Sequence, residues 1–173
     1  MTKKPKKTFK QRPKTVIEQQ KHSDPSRSSD VNARITYYLC PFDELFPELA
    51  ASEYRTLRVY DQRGALVDDY TLAEYICSNP ACDCRQLALS VVAHSSRQTM
   101  ALIDVDFRGR VKARLIADKP QSDFADTLFE LIVDNVLSDP GYVKRLRAHY
   151  RQLKQAVAKP TPDQKAILLR YQE

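Results

Sequence analysis

The chain has 173 residues, of which 42% are hydrophobic, and a formal net charge of +6 at pH 7. That length suits one domain with appendages better than two full domains. No apolar run approaches the roughly 20 residues that a membrane-spanning helix needs, and no apolar segment follows the lysine-rich start as it would in a secretion signal. We therefore expect no membrane association and a cytoplasmic or nucleoid-like location, in which thiols stay reduced.

Charge is distributed unevenly along the chain. Residues 1–34 hold ten Lys and Arg against three Asp and Glu, and residues 141–173 hold eight against two, whereas residues 35–140 are net acidic. Residues 1–34 also contain almost nothing to bury, so we expect a disordered basic tail. Seven of its cations are candidates for binding the phosphate backbone of a nucleic acid: Lys3, Lys4, Lys6, Lys7, Lys10, Arg12 and Lys14.

The centre of the chain predicts the first half of an α+β fold, a meander of four to five antiparallel strands. The predicted strands lie at about 55–61, 65–77, 85–94, 98–107 and 111–117. The register that keeps apolar residues on one face sets Ile103 opposite both Leu89 and Leu115, and Asp104 opposite Arg114. Gly109 can supply the positive φ that the loop between the last two strands requires.

Three of the four cysteines lie within eight residues, as Cys77, Cys82 and Cys84, between two predicted strands. A hairpin tip brings such thiols together, and Zn²⁺ prefers a tetrahedral set of sulfur and nitrogen ligands. A disulfide between Cys82 and Cys84 would close a very tight ring. For the fourth ligand we favour Cys40, with His149 or water as rivals, and an ordinary buried role for Cys40 stays open.

The chemistry of this zinc site is predicted to be structural. Three thiolates outweigh the charge of the ion and leave it a weak Lewis acid, whereas catalytic zinc usually has histidine or carboxylate ligands and an open position for water. A metalloenzyme with an unrecognised site remains an alternative, as does a catalytic pair of Cys40 and His149. The sequence thus favours a zinc clip that holds the fold together.

The cysteine segment has a counterpart elsewhere. Residues 75–85, which read Tyr-Ile-Cys-Ser-Asn-Pro-Ala-Cys-Asp-Cys-Arg, resemble the Y-C-x4-C-D-C-R knuckle of a group of uncharacterised bacterial proteins. Residues 139–150, with Asp-Pro-Gly-Tyr at the start and His-Tyr at the end, are similar to the helix downstream of that knuckle. The resemblance covers about residues 70–157. It implies a metal-binding knuckle at the three cysteines and brings no established activity.

Two to three helices are predicted after Pro120. Ser122-Asp123 can cap a helix that ends near Leu137, and Asp139-Pro140 can start a second one. Thr161 and Gln164 form a capping box for a short terminal helix. The predicted organisation is a basic tail at 1–34, a zinc-clipped α+β domain at 35–158 and the terminal helix at 159–173.

The second helix carries two stripes. The apolar seam, spaced by three and four residues in turn, consists of Val143, Leu146, Tyr150, Leu153 and Val157. The basic ridge beside it, in a stretch without acidic residues, consists of Lys144, Arg147, Arg151 and Lys154. We therefore predict a non-enzymatic zinc-stabilised domain that binds DNA or RNA through the basic tail and the basic ridge. The alternative is an adaptor whose apolar seam binds a partner helix or a second copy, unless the seam packs on the sheet.

Overall fold

The computed structural model of the chain describes residues 39–117, 119 and 121–171. The predicted basic tail and its seven candidate cations lie outside the described residues. The described part has the predicted α+β fold, with an antiparallel sheet first and helices after it. No helix in this part is long and apolar enough to cross a membrane.

The described strands form one six-stranded antiparallel sheet. Their bounds are β1 (Leu39–Pro41), β2 (Thr56–Tyr60), β3 (Leu66–Cys77), β4 (Gln86–Ala93), β5 (Thr99–Asp106) and β6 (Lys112–Leu115). The spatial order is β1-β3-β4-β5-β6, and β2 also pairs with β3. The 12 residues of β3 are long enough for β2 to pair near its start and β1 at its end.

The predicted registers are confirmed at every position stated. Ile103 pairs with Leu89 on β4 and with Leu115 on β6. Asp104 pairs with Arg114, and their side chains form an ion pair of 3.0 Å. Gly109 has φ +71°. The alternation of apolar and polar residues was sufficient to set the register, because a slip by one residue would have turned the apolar set to the other face.

Five helices complete the described fold. They are α1 (Phe42–Leu45), α2 (Pro47–Glu53), α3 (Ala125–Ile132), α4 (Pro140–Ala158) and α5 (Pro162–Leu169), with a π-helical segment (Val133–Leu137) directly after α3. Helices α1 and α2 were not predicted from the sequence. The predicted start of α3 was too early, because the Ser122 hydroxyl donates to the carbonyl of Met100 on β5 instead of capping the helix. The Asp139 cap and the Thr161 capping box are confirmed.

The core lies between one face of the sheet and the helices. Leu72, Leu89 and Ile103 from the sheet join Leu128 from α3 and Leu146 from α4 in one buried cluster. All five residues of the apolar seam are buried. The seam therefore packs inside the chain, and the predicted partner-binding surface is not exposed in this fold. Leu168 of α5 is also part of the core, so the terminal helix packs on the domain.

Candidate metal centre

The thiols of Cys77, Cys82 and Cys84 converge at the tip of the hairpin between β3 and β4. Cys77 is the last residue of β3, and the other two precede β4. Their Sγ atoms all lie within 4.8 Å of one another. Sulfur ligands at 2.3 Å from a tetrahedral zinc ion are about 3.8 Å apart. A small closure of the three thiols would therefore hold a metal ion.

A turn at Asn79 folds the chain so that Cys82 returns to Cys77. The Asn79 side-chain oxygen accepts a hydrogen bond from the Ala81 N–H at 2.9 Å. The Asn79 carbonyl accepts one from the Cys82 N–H at 3.2 Å. This is the side-chain-to-backbone turn that asparagine favours. The turn at Asn79 and Pro80 therefore positions the second thiol of the cluster.

Arg85 ends the loop in an unusual backbone conformation. Its φ is +51°, in the left-handed region that residues other than glycine seldom adopt. Its N–H donates to the Tyr150 hydroxyl on α4 at 3.1 Å, and its carbonyl accepts from the Phe107 N–H at 2.9 Å. Both backbone groups thus have partners that fix this conformation. Tertiary contacts hold the loop in the form that aligns Cys84 with the other thiols.

Helix α4 covers one side of the cysteine loop. The Lys154 ammonium group donates to the Asn79 carbonyl at 2.6 Å and, more weakly, to the Cys77 carbonyl at 3.5 Å. Burial raises the pKa of Tyr150 to about 12, so the hydroxyl beside Cys84 stays protonated. Lys154 was predicted to bind nucleic acid as part of the basic ridge. In the structure its ammonium group is bound to the loop that carries the cysteines, and its contact with a nucleic acid stays a prediction.

A hydrogen bond between the thiols of Cys77 and Cys84 moves their pKa values in opposite directions. A hydrogen bond with Cys77 lowers the pKa of Cys84, and the nearby Lys154 charge acts in the same direction, while burial opposes both. The same hydrogen bond, reinforced by burial, raises the pKa of Cys77. One thiolate therefore forms readily within the cluster. Thiolate is the form in which cysteine binds a metal.

Cys40 is not part of this cluster. It pairs with Ile76, whereas its neighbour Leu39 pairs with Cys77, so the side chains of Cys40 and Cys77 point to opposite faces of the sheet. Cys40 is fully buried in the core, and burial raises the pKa of its thiol to about 12. The prediction that Cys40 supplies the fourth ligand is therefore wrong. The pairing of strands, rather than the type of residue, decides this.

His149 is also removed as a ligand. Its Nδ1 lies 2.8 Å from a Glu74 carboxylate oxygen and its Nε2 lies 3.0 Å from one of Glu53. Its ring stacks on Phe42 with 4.3 Å between the centroids. Because both ring nitrogens are bound to carboxylates, His149 is available neither to a metal nor to a catalytic pair with Cys40.

Glu53, His149 and Glu74 form an acid–histidine cluster that sequence reasoning missed, in which His149 and Glu74 are buried and Glu53 is partly exposed. Burial alone would lower the pKa of His149, but the hydrogen bonds and charges of Glu74 and Glu53 outweigh it and raise that pKa. Burial also raises the pKa of Glu74, which is 1% exposed. One signal was present in the sequence, since Glu74 stands between Leu72 and Ile76 at a core position of β3. Its histidine partner lies 75 residues away and could not be found from the pattern.

The remaining residues of the basic ridge, Lys144, Arg147 and Arg151, are exposed on α4. The Arg147 guanidinium lies over the Phe107 ring at 5.8 Å. None of the three is in an ion pair with a carboxylate of the described residues. The structure thus retains three of the four ridge cations as a solvent-facing set.

Comparison of the chain with protein-family models, with curated proteins and with solved structures finds no match. The resemblance of residues 75–85 to a bacterial cysteine knuckle therefore stays a prediction. The geometry of the three thiols, of α4 and of the sheet carries the functional argument.

Proposed function

We propose that Cys77, Cys82 and Cys84 bind a structural Zn²⁺ ion. The observation that supports this is the convergence of three thiols within 4.8 Å at a hairpin tip that α4 holds in place. Clustered thiolates favour zinc over the harder divalent ions, which prefer oxygen ligands. The ion would join the end of β3 to the start of β4. Because Lys154 and Tyr150 of α4 bind the backbone of the same loop, the ion would also stabilise the packing of α4 against that loop.

The function that we propose for this zinc-stabilised domain is binding of a nucleic acid through its phosphate backbone, in the cytoplasm. Lys144, Arg147 and Arg151 support it, because they are exposed and have no carboxylate partner among the described residues. Contacts to phosphate release counterions, so such binding is insensitive to sequence and weakens with salt. The seven cations of the basic tail would add to the same electrostatic interaction.

The test is a titration of the full chain with single- and double-stranded DNA and RNA at low and near-physiological salt. The key variant replaces Lys144, Arg147 and Arg151 with glutamine. A matched variant removes the same charge elsewhere on the described surface, through Arg63→Gln, Arg110→Gln and Lys165→Gln. For duplex DNA, each lost phosphate contact lowers the slope of log K against log salt by about 0.9. We expect the ridge variant to lose two to three such contacts and the matched variant fewer than one.

A separate variant, with the seven tail cations replaced by glutamine, measures the contribution of the basic tail. A drop in both affinity and salt slope would assign it to the same binding event. If the ridge variant and the matched variant lose equal affinity and equal salt slope, net charge rather than the position of the ridge cations accounts for the binding. Absence of binding at low salt would reject the proposed nucleic-acid function and leave the zinc proposal intact.

A further inference from the structure

A groove of about 760 Å³ lies against the face of the sheet that the described helices leave uncovered. All three thiols of the cysteine cluster line one end of it. Leu102 and Ile116 contribute to its apolar wall. Its lining is more apolar than polar, and its volume is within the range typical of sites for small organic ligands.

The two sides of the cysteine loop differ. On one side, Lys154 and Tyr150 of α4 bind the backbone of the loop. On the other side the loop opens to the groove. The group of potential metal ligands at this point consists of the three cysteines alone among the described residues. Three protein ligands leave one position of a tetrahedral ion for a ligand from outside this set.

We propose that this fourth position faces the groove and binds a small organic thiol with an apolar body, an inference that rests on the proposed zinc site. A zinc ion with three thiolate ligands is a poor activator of water, but it accepts a further soft sulfur donor. The groove supplies the apolar surface that the body of such a ligand would bury. Its sulfur would lie at the cysteine end, and its body would extend along the sheet towards Leu102 and Ile116.

The charges around the groove suit a thiolate rather than a neutral donor. A zinc ion with four thiolates has a net charge of −2, which needs compensation in a partly buried site. The Lys154 ammonium group lies at the cysteine loop, and Lys119 lines the groove, whereas the charge of Arg114, another lining residue, is balanced by its ion pair with Asp104. In the binding step the thiol R–SH gives its proton to solvent, its sulfur forms the bond to zinc, and the water ligand leaves. Nothing is oxidised or reduced.

The experiment uses the full chain loaded with one equivalent of Co²⁺, whose visible absorption reports the ligands of the ion. A phosphine serves as the reductant, so that no other thiol is present. 2-Phenylethanethiol is the probe, 2-phenylethanol is the matched control without sulfur, and 2-mercaptoethanol is the control without the apolar body. We expect 2-phenylethanethiol to cause saturable changes in the cobalt and sulfur-to-cobalt absorption bands. 2-Phenylethanol should cause none, and 2-mercaptoethanol should bind more weakly than 2-phenylethanethiol.

The Leu102→Gln variant tests the role of the groove. Loss of one apolar contact side chain should weaken 2-phenylethanethiol binding by about tenfold and leave binding of 2-mercaptoethanol and of Co²⁺ unchanged. Leu169→Gln, at an exposed apolar residue on α5, is the matched control and should change none of these.

The possible outcomes separate the two proposals. If Co²⁺ does not bind at all, the zinc proposal fails. If Co²⁺ binds through sulfur but the thiol leaves its spectrum unchanged, the zinc proposal stands and the open position is disproved, because another donor then completes the site. If 2-phenylethanol competes as well as the thiol, the groove binds apolar molecules without coordination, which also overturns the inference.

Discussion

Two clusters of titratable side chains in the described part of the chain are built in opposite ways. The cysteine cluster comes from eight consecutive positions and lies at the end of a hairpin. The acid–histidine cluster joins His149 to carboxylates 75 and 96 positions away, with His149 and Glu74 in the interior and Glu53 partly exposed. The first can form as soon as one hairpin folds. The second exists only when β3, α2 and α4 are all in place.

The two clusters therefore stabilise the protein through different interactions. Zinc at the cysteine cluster would hold a local loop, and its contribution would depend on the metal and on deprotonated thiols. The contribution of the acid–histidine cluster to stability would depend on the packing of α4 on the sheet and on the charge of His149. Variants and conditions that act on one cluster and not on the other can test this contrast.

Loss of the metal should have the largest effect. Structural zinc sites contribute about 10–16 kcal/mol of apparent binding free energy, so each of four ligands accounts for about 3 kcal/mol. We expect Cys84→Ser to weaken zinc binding by at least about 100-fold and a strong chelator to destabilise the β3–β4 end of the sheet. Metal competition and hydrogen exchange measure the two effects.

Cys40→Ser is the control for that experiment. Because Cys40 lies on the other face of the sheet, zinc affinity should not change, while stability falls through a buried hydroxyl that replaces a thiol. A loss of zinc affinity similar to that of Cys84→Ser would contradict the assignment of the three ligands.

Removal of His149 should have the next largest effect. His149→Phe leaves Glu74 buried without its partner, and loss of one member of a buried charged pair costs about 3–5 kcal/mol. The double variant His149→Phe/Glu74→Leu should recover much of that loss, because no buried charge is then left. Urea unfolding measures both. A double variant no more stable than the single one would mean that Glu74 has little charge in the folded protein.

The pH dependence of stability should be intermediate in size. The pKa of His149 is raised in the folded protein above its ordinary value of about 6.5, so the folded state holds a proton that the unfolded state releases. Its contribution is fully present below about pH 6.5 and is lost as the pH rises through the folded pKa. The raised pKa of Glu74 acts in the same direction at lower pH.

The difference in unfolding free energy between the unmodified chain and His149→Phe isolates this contribution. It should shrink as the pH rises, with both proteins saturated with zinc so that thiol deprotonation affects them equally. A difference that grows with pH would show that neutral histidine, rather than the imidazolium ion, is the form bound between the carboxylates.

Lys154→Met should have the smallest effect, and it tests the link between the two regions. Loss of the hydrogen bonds from Lys154 to the Asn79 and Cys77 carbonyls should cost about 1–2 kcal/mol and weaken zinc binding by about tenfold or less. Arg151→Met, an exposed residue of the same helix, should leave zinc affinity unchanged and lower only nucleic-acid binding. If Lys154→Met left zinc affinity unchanged and lowered nucleic-acid binding, Lys154 would act as a cation of the basic ridge.

Much of the fold was accessible from the sequence because its strands follow a period of two with one apolar face. That alternation predicted the pairs Leu89–Ile103 and Ile103–Leu115, and capping chemistry predicted the starts of α4 and α5. Helices α1 and α2 were missed, because they are too short to show a helical period. The start of α3 was misplaced, because Ser122 has a backbone acceptor on β5 that local reasoning could not identify.

The sequence by itself determined the three-cysteine cluster, since the cysteines are close along the chain and an Asn-Pro turn between them closes the loop. Only the tertiary structure decided which residues stay outside that cluster. The pairing of Cys40 with Ile76 directs its thiol into the core. Both ring nitrogens of His149 are bound to the carboxylates of Glu53 and Glu74. The ammonium group of Lys154 is bound to the cysteine loop. The reason is physical: spacing along a chain sets local contacts, whereas the partner of a buried polar group is set by whichever distant element packs against it.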